Sequence, residues 1–113
     1  MQVSVQALRD SLTANSDLLL VDVRTPAEWD SRRVPGVKKF IEHDQIASRA
    51  VEVGADTGRA VYLICRSGHR SKLAAETLAG LGYKHPFNVE GGTNAWIKAG
   101  FPVDSGLPVG DTR

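Results

Sequence analysis

Cysteine is almost absent from this sequence, since Cys65 is the single one among 113 residues. One cysteine excludes an internal disulfide and any Cys-x-x-Cys metal or redox pair, so disulfide chemistry would have to be intermolecular. The sequence also has no large excess of charge of one sign, because its 14 Lys and Arg residues and 13 Asp and Glu residues give a net charge of +1. This balance gives no case for a nucleic-acid partner or for binding to a membrane surface.

Long apolar runs are also missing. No run reaches the ~20 residues that cross a bilayer, and the N-terminus lacks the charged-then-apolar pattern of a signal peptide. We therefore expect a cytoplasmic protein with no membrane partner. The length fits one domain with a sizeable core. We take residues 1–113 as that domain and expect its polar tail, 104–113, to be flexible.

What the sequence does contain is an alternation of strand and helix patterns. The apolar run at 18–23 is typical of a strand covered on both faces. Thr25, Pro26 and Glu28 then form a capping box with proline at the first helical position. Further patterns predict a helix with Val5, Leu8 and Leu12 inward, a strand at 37–41, a helix at 44–53, a strand at 60–64, a helix with Leu73, Ala74, Leu78 and Leu81 inward, a strand at 87–89 and a helix with Trp96 and Ile97. This alternation predicts an α/β fold with a parallel sheet and helices on both faces.

Cys65 lies where an apolar strand gives way to a helix. A turn at such a junction can point backbone N–H groups at an anion, and the helix N-terminus adds partial positive charge. Arg66 and Arg70 strengthen the same field, which favours the thiolate over the thiol. The pattern therefore predicts a nucleophilic cysteine in an anion-binding site. A buried structural cysteine is the plainer alternative, but it has no use for two arginines, Gly68 and two serines directly after it.

The predicted sheet places further residues near this cysteine. Ligands of open α/β sheets bind beyond the carboxyl ends of the strands, so the residues that follow each strand should surround one mouth. They are 24–25, 42–44, 65–71 and 90–93. Arg32 and Arg33 precede a strand, so we expect them at the opposite end, away from a substrate. Asp22 ends a buried strand and must be paired; we expect it to accept backbone hydrogen bonds, with an acid–base role as the alternative.

Four motifs, in this order, resemble those of single-domain rhodaneses, which are sulfurtransferases. They are Val21-Asp22-Val23-Arg24 before Glu28-Trp29, then Val34-Pro35-Gly36, then Cys65-Arg66-Ser67-Gly68-His69-Arg70-Ser71, and Glu90-Gly91-Gly92 before Ala95-Trp96. Each motif alone is weak, but together they cover about residues 18–102 and are highly specific. One departure is Arg32-Arg33-Val34-Pro35-Gly36-Val37, where many relatives have Gly-His-Ile-Pro-Gly-Ala. By its expected position this change affects local packing and not activity.

The resemblance implies a rhodanese-like domain with a central parallel sheet of about five strands. It also implies that Cys65 carries sulfur as a persulfide, with no metal or other cofactor. The backbone N–H groups of the loop should face that sulfur and bind the substrate; the residues concerned are Arg66, Ser67, Gly68, His69, Arg70 and Ser71. Asp22 and Arg24 match family residues at the end of an early strand, and we read them as support for the site.

The implied activity is that of a thiosulfate sulfurtransferase. The Cys65 thiolate would take the outer sulfur of a small anionic donor such as thiosulfate, and a thiophilic acceptor, cyanide or a thiol, would then remove it. Arg66 and Arg70 would hold the charged end of the donor. The partners expected are therefore a small sulfur donor and a thiol or protein acceptor, bound by a monomer or a homodimer.

Three other functions remain open. One is a persulfide relay that takes sulfur from one protein and passes it to another. The second is a phosphatase or arsenate reductase, although relatives on this fold use Cys-x5-Arg, whereas Ser71 stands at that arginine position here and Arg70 comes one residue early. The third is a binding module without turnover. The sequence does not decide among physiological donors and acceptors.

Overall fold

The computed structural model describes residues 1–105, which hold five strands and four α-helices. The strands are β1 (Gln2–Val3), β2 (Leu19–Asp22), β3 (Lys39–Phe40), β4 (Val61–Ile64) and β5 (Pro86–Val89). The helices are α1 (Val5–Ala14), α2 (Pro26–Ser31), α3 (His69–Gly80) and α4 (Gly92–Lys98). The expected flexible tail lies outside the described residues from position 106 onward.

The strands of the described chain form one parallel sheet in the order β1-β5-β4-β2-β3. The predicted α/β fold with a five-stranded parallel sheet is thereby confirmed. Strand β4 lies between β2 and β5, with Leu63 opposite Val21 on one side and Asn88 on the other. The carboxyl ends of these three strands therefore meet at one edge of the sheet.

Each face of the sheet carries its own apolar core, because successive side chains of a strand point to opposite faces. Val61, Leu63 and Cys65 point toward α3, whereas Ile64 points toward α1 and α4. The predicted helices on both faces are confirmed by these two clusters. Among residues 1–105, none of the helices combines the length and the apolar character that crossing a membrane requires.

The predicted start of α2 is confirmed in atomic detail. The Glu28 N–H donates to Thr25 Oγ1 at 3.4 Å, and the Thr25 N–H donates to Glu28 Oε1 at 3.2 Å, which is the reciprocal capping box. The helix ends after six residues, so it is only about 9 Å long. Its end is therefore still close to its beginning.

The single helix predicted at 44–53 is wrong. The chain forms two short 3₁₀ helices there, His43–Gln45 and Ala50–Glu52, and Val51 of the expected apolar stripe is 82% exposed. The Ala50 carbonyl accepts from the Val53 N–H, three residues on, and from the Tyr83 hydroxyl at 3.1 Å. A tertiary hydrogen bond thus favours the tight turn over a continuous α-helix.

The inward face predicted for α3 is wrong in two positions. Leu73 and Leu81 are 47% and 50% exposed, although Ala74 and Leu78 are buried as expected. The buried positions of the helix are Ser71, Ala74, Ala75 and Leu78. This spacing of three, one and three residues is a helical face, and it is the face that carries Ser71 toward the cysteine.

Candidate active site

Cys65 directly follows β4 and is completely buried. Its sulfur accepts hydrogen bonds from the Gly68 N–H at 3.1 Å and from the Ser71 hydroxyl at 3.3 Å. Gly68 has a φ of +98° and is the N-cap of α3, so the loop turns back on its own cysteine through a conformation that favours glycine. The sulfur therefore lies at the N-terminus of a twelve-residue helix, where negative charge is stabilised.

Two opposing effects act on the pKa of the Cys65 thiol. Burial raises the pKa, because it removes water from the charged form. The Ser71 hydroxyl and the backbone N–H groups of Ser71, Gly68 and Ser67 donate hydrogen bonds to the sulfur and lower the pKa. The net effect is a pKa below its ordinary value, so the thiolate is the favoured nucleophile at this position.

Of the six loop residues predicted to bind substrate, three direct backbone N–H groups at the sulfur. These are Ser67, Gly68 and Ser71. In the described part of the chain, Arg66, His69 and Arg70 make no hydrogen bond to it. Residues 1–105 contain no cluster of three or more His, Cys, Asp or Glu side chains placed to hold a metal ion.

The first turn of α4 holds the loop from outside. The Thr93 N–H and hydroxyl donate to the Cys65 carbonyl at 2.8 and 3.2 Å, and the Asn94 N–H donates to the Arg66 carbonyl at 3.0 Å. With its first two carbonyls turned toward α4, the loop keeps its N–H groups for the sulfur. The sequence predicts that 90–93 lie around the mouth but gives these residues no function; the signal for their role is Gly91-Gly92 directly after a strand.

Gly92 makes this close approach possible. A Cβ atom at this position would lie 2.2 Å from the Cys65 carbonyl oxygen and 2.8 Å from the Arg66 carbonyl carbon. Its φ is +58°, which L side chains rarely adopt. Any larger residue would push α4 away from the cysteine loop.

Asp22 and Arg24 form a buried ion pair beside the loop. The guanidinium donates to both carboxylate oxygens, with Arg24 Nη2 2.8 Å from Asp22 Oδ2. The Arg24 backbone N–H also donates to Asp22 Oδ1 at 2.9 Å. Asp22 thus accepts a backbone hydrogen bond as predicted, and the pair satisfies two charges that burial would otherwise destabilise.

Arg70, expected to be free for a donor, is already paired. Its two terminal nitrogens lie 2.7 and 2.9 Å from the carboxylate oxygens of Glu28 on α2. The hydrogen bonds from Arg70, helped by those from Thr25, outweigh the effect of burial and lower the pKa of Glu28 from 4.5 to about 2. The reason is tertiary, since docking of α2 beside α3 brings together two residues 42 positions apart.

A cleft of about 380 Å³ opens beside the cysteine loop, and its lining includes Arg24, Arg32 and Arg66. Arg66, which the sequence predicts to hold the charged end of a donor, is exposed at this cleft. The expectation that Arg32 lies at the far end is wrong, because the short α2 ends while still near the mouth. Arg33 is buried, with Nη1 2.8 Å from the Trp29 carbonyl, and it is not among the residues that line the cleft.

Comparison with known proteins gives one consistent result. The family model described as the rhodanese-like domain matches residues 4–99. A sulfurtransferase from Allochromatium vinosum is 36% identical over 102 residues, which are 90% of this chain and 92% of that protein. The putative sulfur carrier protein YrkF of Bacillus subtilis is 32% identical over 84% of this chain, which spans only 50% of that protein. Among solved structures, the 30 kDa polysulfide-sulfur transferase homodimer from Wolinella succinogenes is 27% identical with a TM-score of 0.75, covering 100% of this chain and 84% of that one.

Proposed function

The chain belongs to the rhodanese-like domain family, whose relatives support sulfur transfer in general, and we propose that it transfers sulfane sulfur through a persulfide on Cys65. The observation that carries the proposal is the set of donors around one sulfur: the hydroxyl of Ser71 and the backbone N–H groups of Ser67, Gly68 and Ser71. Both the thiolate and the persulfide are anions, so these donors stabilise both states of the cycle.

The first step is attack of the Cys65 thiolate on the outer sulfur of thiosulfate. A bond forms between the cysteine sulfur and the outer sulfur, and the sulfur–sulfur bond of thiosulfate breaks. The electron pair of that bond leaves with sulfite, so the charges balance and the enzyme keeps an anionic persulfide. The lowered pKa of Cys65 increases the fraction of thiolate, so the proposed step uses no separate general base.

The second step returns the cysteine to its starting state. A thiophilic acceptor such as cyanide attacks the outer sulfur of the persulfide, and the electron pair of the sulfur–sulfur bond returns to Cys65 as thiolate. Thiocyanate is the product with cyanide, and the persulfide of the acceptor is the product with a thiol. The proposed cycle uses the persulfide as its intermediate and requires no metal or organic cofactor.

The cleft beside the loop is the proposed entry for the donor. Arg66 and Arg32 give it positive charge at the rim, which attracts a small dianion. Because the Cys65 side chain has no exposed surface, attack also requires a small opening of the loop. A compact donor such as thiosulfate is therefore favoured over a bulky one.

A persulfide relay is the second candidate, favoured by one observation. The Bacillus subtilis relative is described as a putative sulfur carrier protein, and a carrier would use the same Cys65 chemistry with proteins as donor and acceptor. Saturation with thiosulfate at low concentration supports the enzyme. Slow reaction with thiosulfate, together with fast transfer from a protein persulfide, supports the relay.

The geometry disfavours a phosphatase. Where a Cys-x5-Arg loop has its arginine, this chain has Ser71, whose buried side chain contacts the sulfur. The guanidinium of the neighbouring Arg70 donates to both carboxylate oxygens of Glu28, so it is not available to bind a phosphate in the loop. Absence of turnover with an aryl phosphate is the expected result.

The proposed function is tested by intact mass measured before thiosulfate, after thiosulfate and after cyanide. We expect one added sulfur atom on Cys65, its loss on addition of cyanide, and thiocyanate in equal amount. The Cys65→Ser variant keeps the size and shape of the side chain but lacks the thiolate, so it should gain no sulfur.

Two results would contradict this function. Sulfur gained by Cys65→Ser would place the chemistry elsewhere. An unloaded wild-type protein, with thiosulfate, polysulfide and a protein persulfide each supplied in turn, would leave a binding module as the better description.

A further inference from the structure

The hydrogen bonds of the cysteine continue into the protein beyond Ser71. The Ser71 hydroxyl, which lies 3.3 Å from Cys65 Sγ, also donates to Asn88 Oδ1 on β5. Asn88 Nδ2 in turn donates to Gln2 Oε1 on β1 at 3.0 Å. Ser71 and Asn88 are buried, whereas Gln2 is exposed. One polar chain thus connects the sulfur with the edge of the sheet.

The Ser71 hydroxyl has a single proton for two acceptors. When Cys65 is a neutral thiol, its S–H can donate to Ser71 Oγ, and the hydroxyl then donates to Asn88 Oδ1. When Cys65 carries a thiolate or a persulfide anion, its sulfur can only accept. The hydroxyl must then donate to the sulfur, and Asn88 Oδ1 loses its donor inside the protein, which is unfavourable.

The two amides offer a way out of this conflict. A half-turn of the Asn88 amide lets Nδ2 donate to Ser71 Oγ and Oδ1 accept from Gln2 Nε2. The two ends of an amide are nearly equal in size, so the turn preserves the packing. A cavity of about 150 Å³, lined by Gln2 and Asn88 among others, gives the Gln2 amide room to turn as well.

We propose that Asn88 and Gln2 are positioning residues that set the direction of the Ser71 proton, so that the hydroxyl donates to sulfur whenever Cys65 is negatively charged. For its meaning in catalysis this rests on the proposed function, but the hydrogen-bond chain acts on the free thiol too. A side chain that only accepts at either position would hold the proton away from the sulfur.

The charged residues on the elements that form the site and the cavity beside Gln2 stay unchanged in the variants below. Strand β2 and the loop after it carry Asp22 and Arg24, and α2 carries Glu28. The remaining charged residues are on the cysteine loop, on α3 and directly after β5: Arg66, His69, Arg70, Lys72, Glu76 and Glu90. A change confined to Gln2 therefore tests the chain of hydrogen bonds against a constant background.

The test uses Gln2→Glu and Gln2→Lys, since Gln2 is exposed and its replacement removes no buried packing. Glutamate only accepts, so it holds Asn88 Nδ2 outward and leaves the Ser71 proton on Asn88 Oδ1. Alkylation of Cys65 by iodoacetamide at pH 7 should be at least about threefold slower, with its midpoint at higher pH. Lysine only donates, so alkylation should be faster, with its midpoint at lower pH.

A direct effect of the new charge is separated by repeating both substitutions in Asn88→Leu, which interrupts the chain. If the chain transmits the effect, both shifts disappear in that background. Shifts of equal size in both backgrounds, or no shift in the wild-type background, would overturn the proposal. Ser71→Ala interrupts the same chain and replaces Asn88→Leu as the background if that variant does not fold.

Thiosulfate loading gives a separate readout, with the same order of rates expected: Gln2→Lys, wild type, Gln2→Glu. Alkylation needs no sulfur donor. Failure of loading in all three proteins, with the alkylation order intact, would contradict the proposed function and leave the role of Asn88 standing.

Discussion

The arginines beside the cysteine loop differ in how far their charge is already used. Arg24 is buried against Asp22, and Arg70 is held by both oxygens of Glu28. Arg66 is exposed, lines the cleft and has no ion-pair partner within residues 1–105. Arg66 is therefore better placed than Arg70 to bind an anionic donor, whereas the sequence predicts the same role for both arginines.

Removing the charges of Arg66 and Arg70 in separate variants should therefore affect KM for thiosulfate to different extents. We expect Arg66→Ala to raise KM for thiosulfate about fivefold with little change in kcat, as loss of one exposed charge contact costs about 1 kcal/mol. The double variant Glu28→Gln, Arg70→Gln removes a paired cation and anion together, so KM should stay within about twofold of wild type. Steady-state kinetics at several thiosulfate concentrations measures both.

A fivefold rise of KM in the double variant as well would mean that Arg70 leaves Glu28 and contacts the donor. Salt provides the control: added sodium chloride should weaken thiosulfate binding in wild type and less so in Arg66→Ala.

At the scale of elements, the site is an assembly of β4, α3 and α4. Cys65 directly follows strand β4 at the edge of the sheet, and the N-cap of α3, Gly68, donates its N–H to the sulfur. Helix α4 then binds the outward carbonyls through Thr93 and Asn94. No single element makes the site, because each supplies only one side of the loop.

This dependence on α4 predicts the effect of Gly92→Ala. The added Cβ would collide with the Cys65 carbonyl at 2.2 Å, so α4 must shift and the loop must lose its outer hydrogen bonds. We expect sulfur transfer to fall at least about tenfold and stability to fall by about 2–3 kcal/mol. Thiocyanate assays and urea unfolding measure the two effects.

Gly82→Ala is the matched control. Gly82 also has a positive φ, +100°, but a Cβ there would meet nothing within 4 Å. It should cost about 1 kcal/mol of backbone strain and leave sulfur transfer unchanged. If the two alanine variants behaved alike, the approach of α4 to the loop would not matter for activity.

At the scale of the whole molecule, two cores on opposite faces of the sheet stabilise the fold, and the Glu28–Arg70 pair joins α2 to α3 across its edge. This pair makes stability depend on pH. The pKa of Glu28 lies near 2 in the folded protein, against the ordinary value of 4.5 that applies in the unfolded chain, and the hydrogen bond from Arg70 is the largest cause. A lowered carboxyl pKa stabilises the folded state above the unfolded value, and this stabilisation is lost as pH falls through 4.5 toward 2.

Glu28→Gln should therefore flatten the acid side of the stability profile. The amide keeps an oxygen for the Thr25 cap but carries no charge, so it cannot lose one. Between pH 6 and pH 3 the wild type should lose about 1–3 kcal/mol more of its unfolding free energy than the variant does. Urea unfolding at the two pH values measures this difference.

The exposed pair of Arg49 and Glu52 provides the comparison. Glu52→Gln should leave the acid sensitivity almost as in wild type, because an exposed pair is screened by solvent. Equal acid sensitivity in wild type and Glu28→Gln would show that the Glu28–Arg70 pair does not stabilise the fold.

Several features were determined by the sequence alone, and all of them are local. The run at 18–23 is apolar enough to require burial on both faces, and it contains β2. The capping box of α2 depends on two residues three positions apart. The place of Cys65 between strand and helix follows in the same way, as does the meeting of strand ends at one edge once the sheet is parallel.

Only the tertiary structure decided the partners within the site. Arg70 binds Glu28 across 42 residues, Thr93 binds the Cys65 carbonyl across 28, and Asn88 binds Gln2 across 86. The position of Arg32 followed from where the short α2 ends, and the turn at Ala50 from a tyrosine 33 residues away. These contacts arise when packed elements dock at particular angles and distances, and no periodicity or capping pattern within one element encodes that docking.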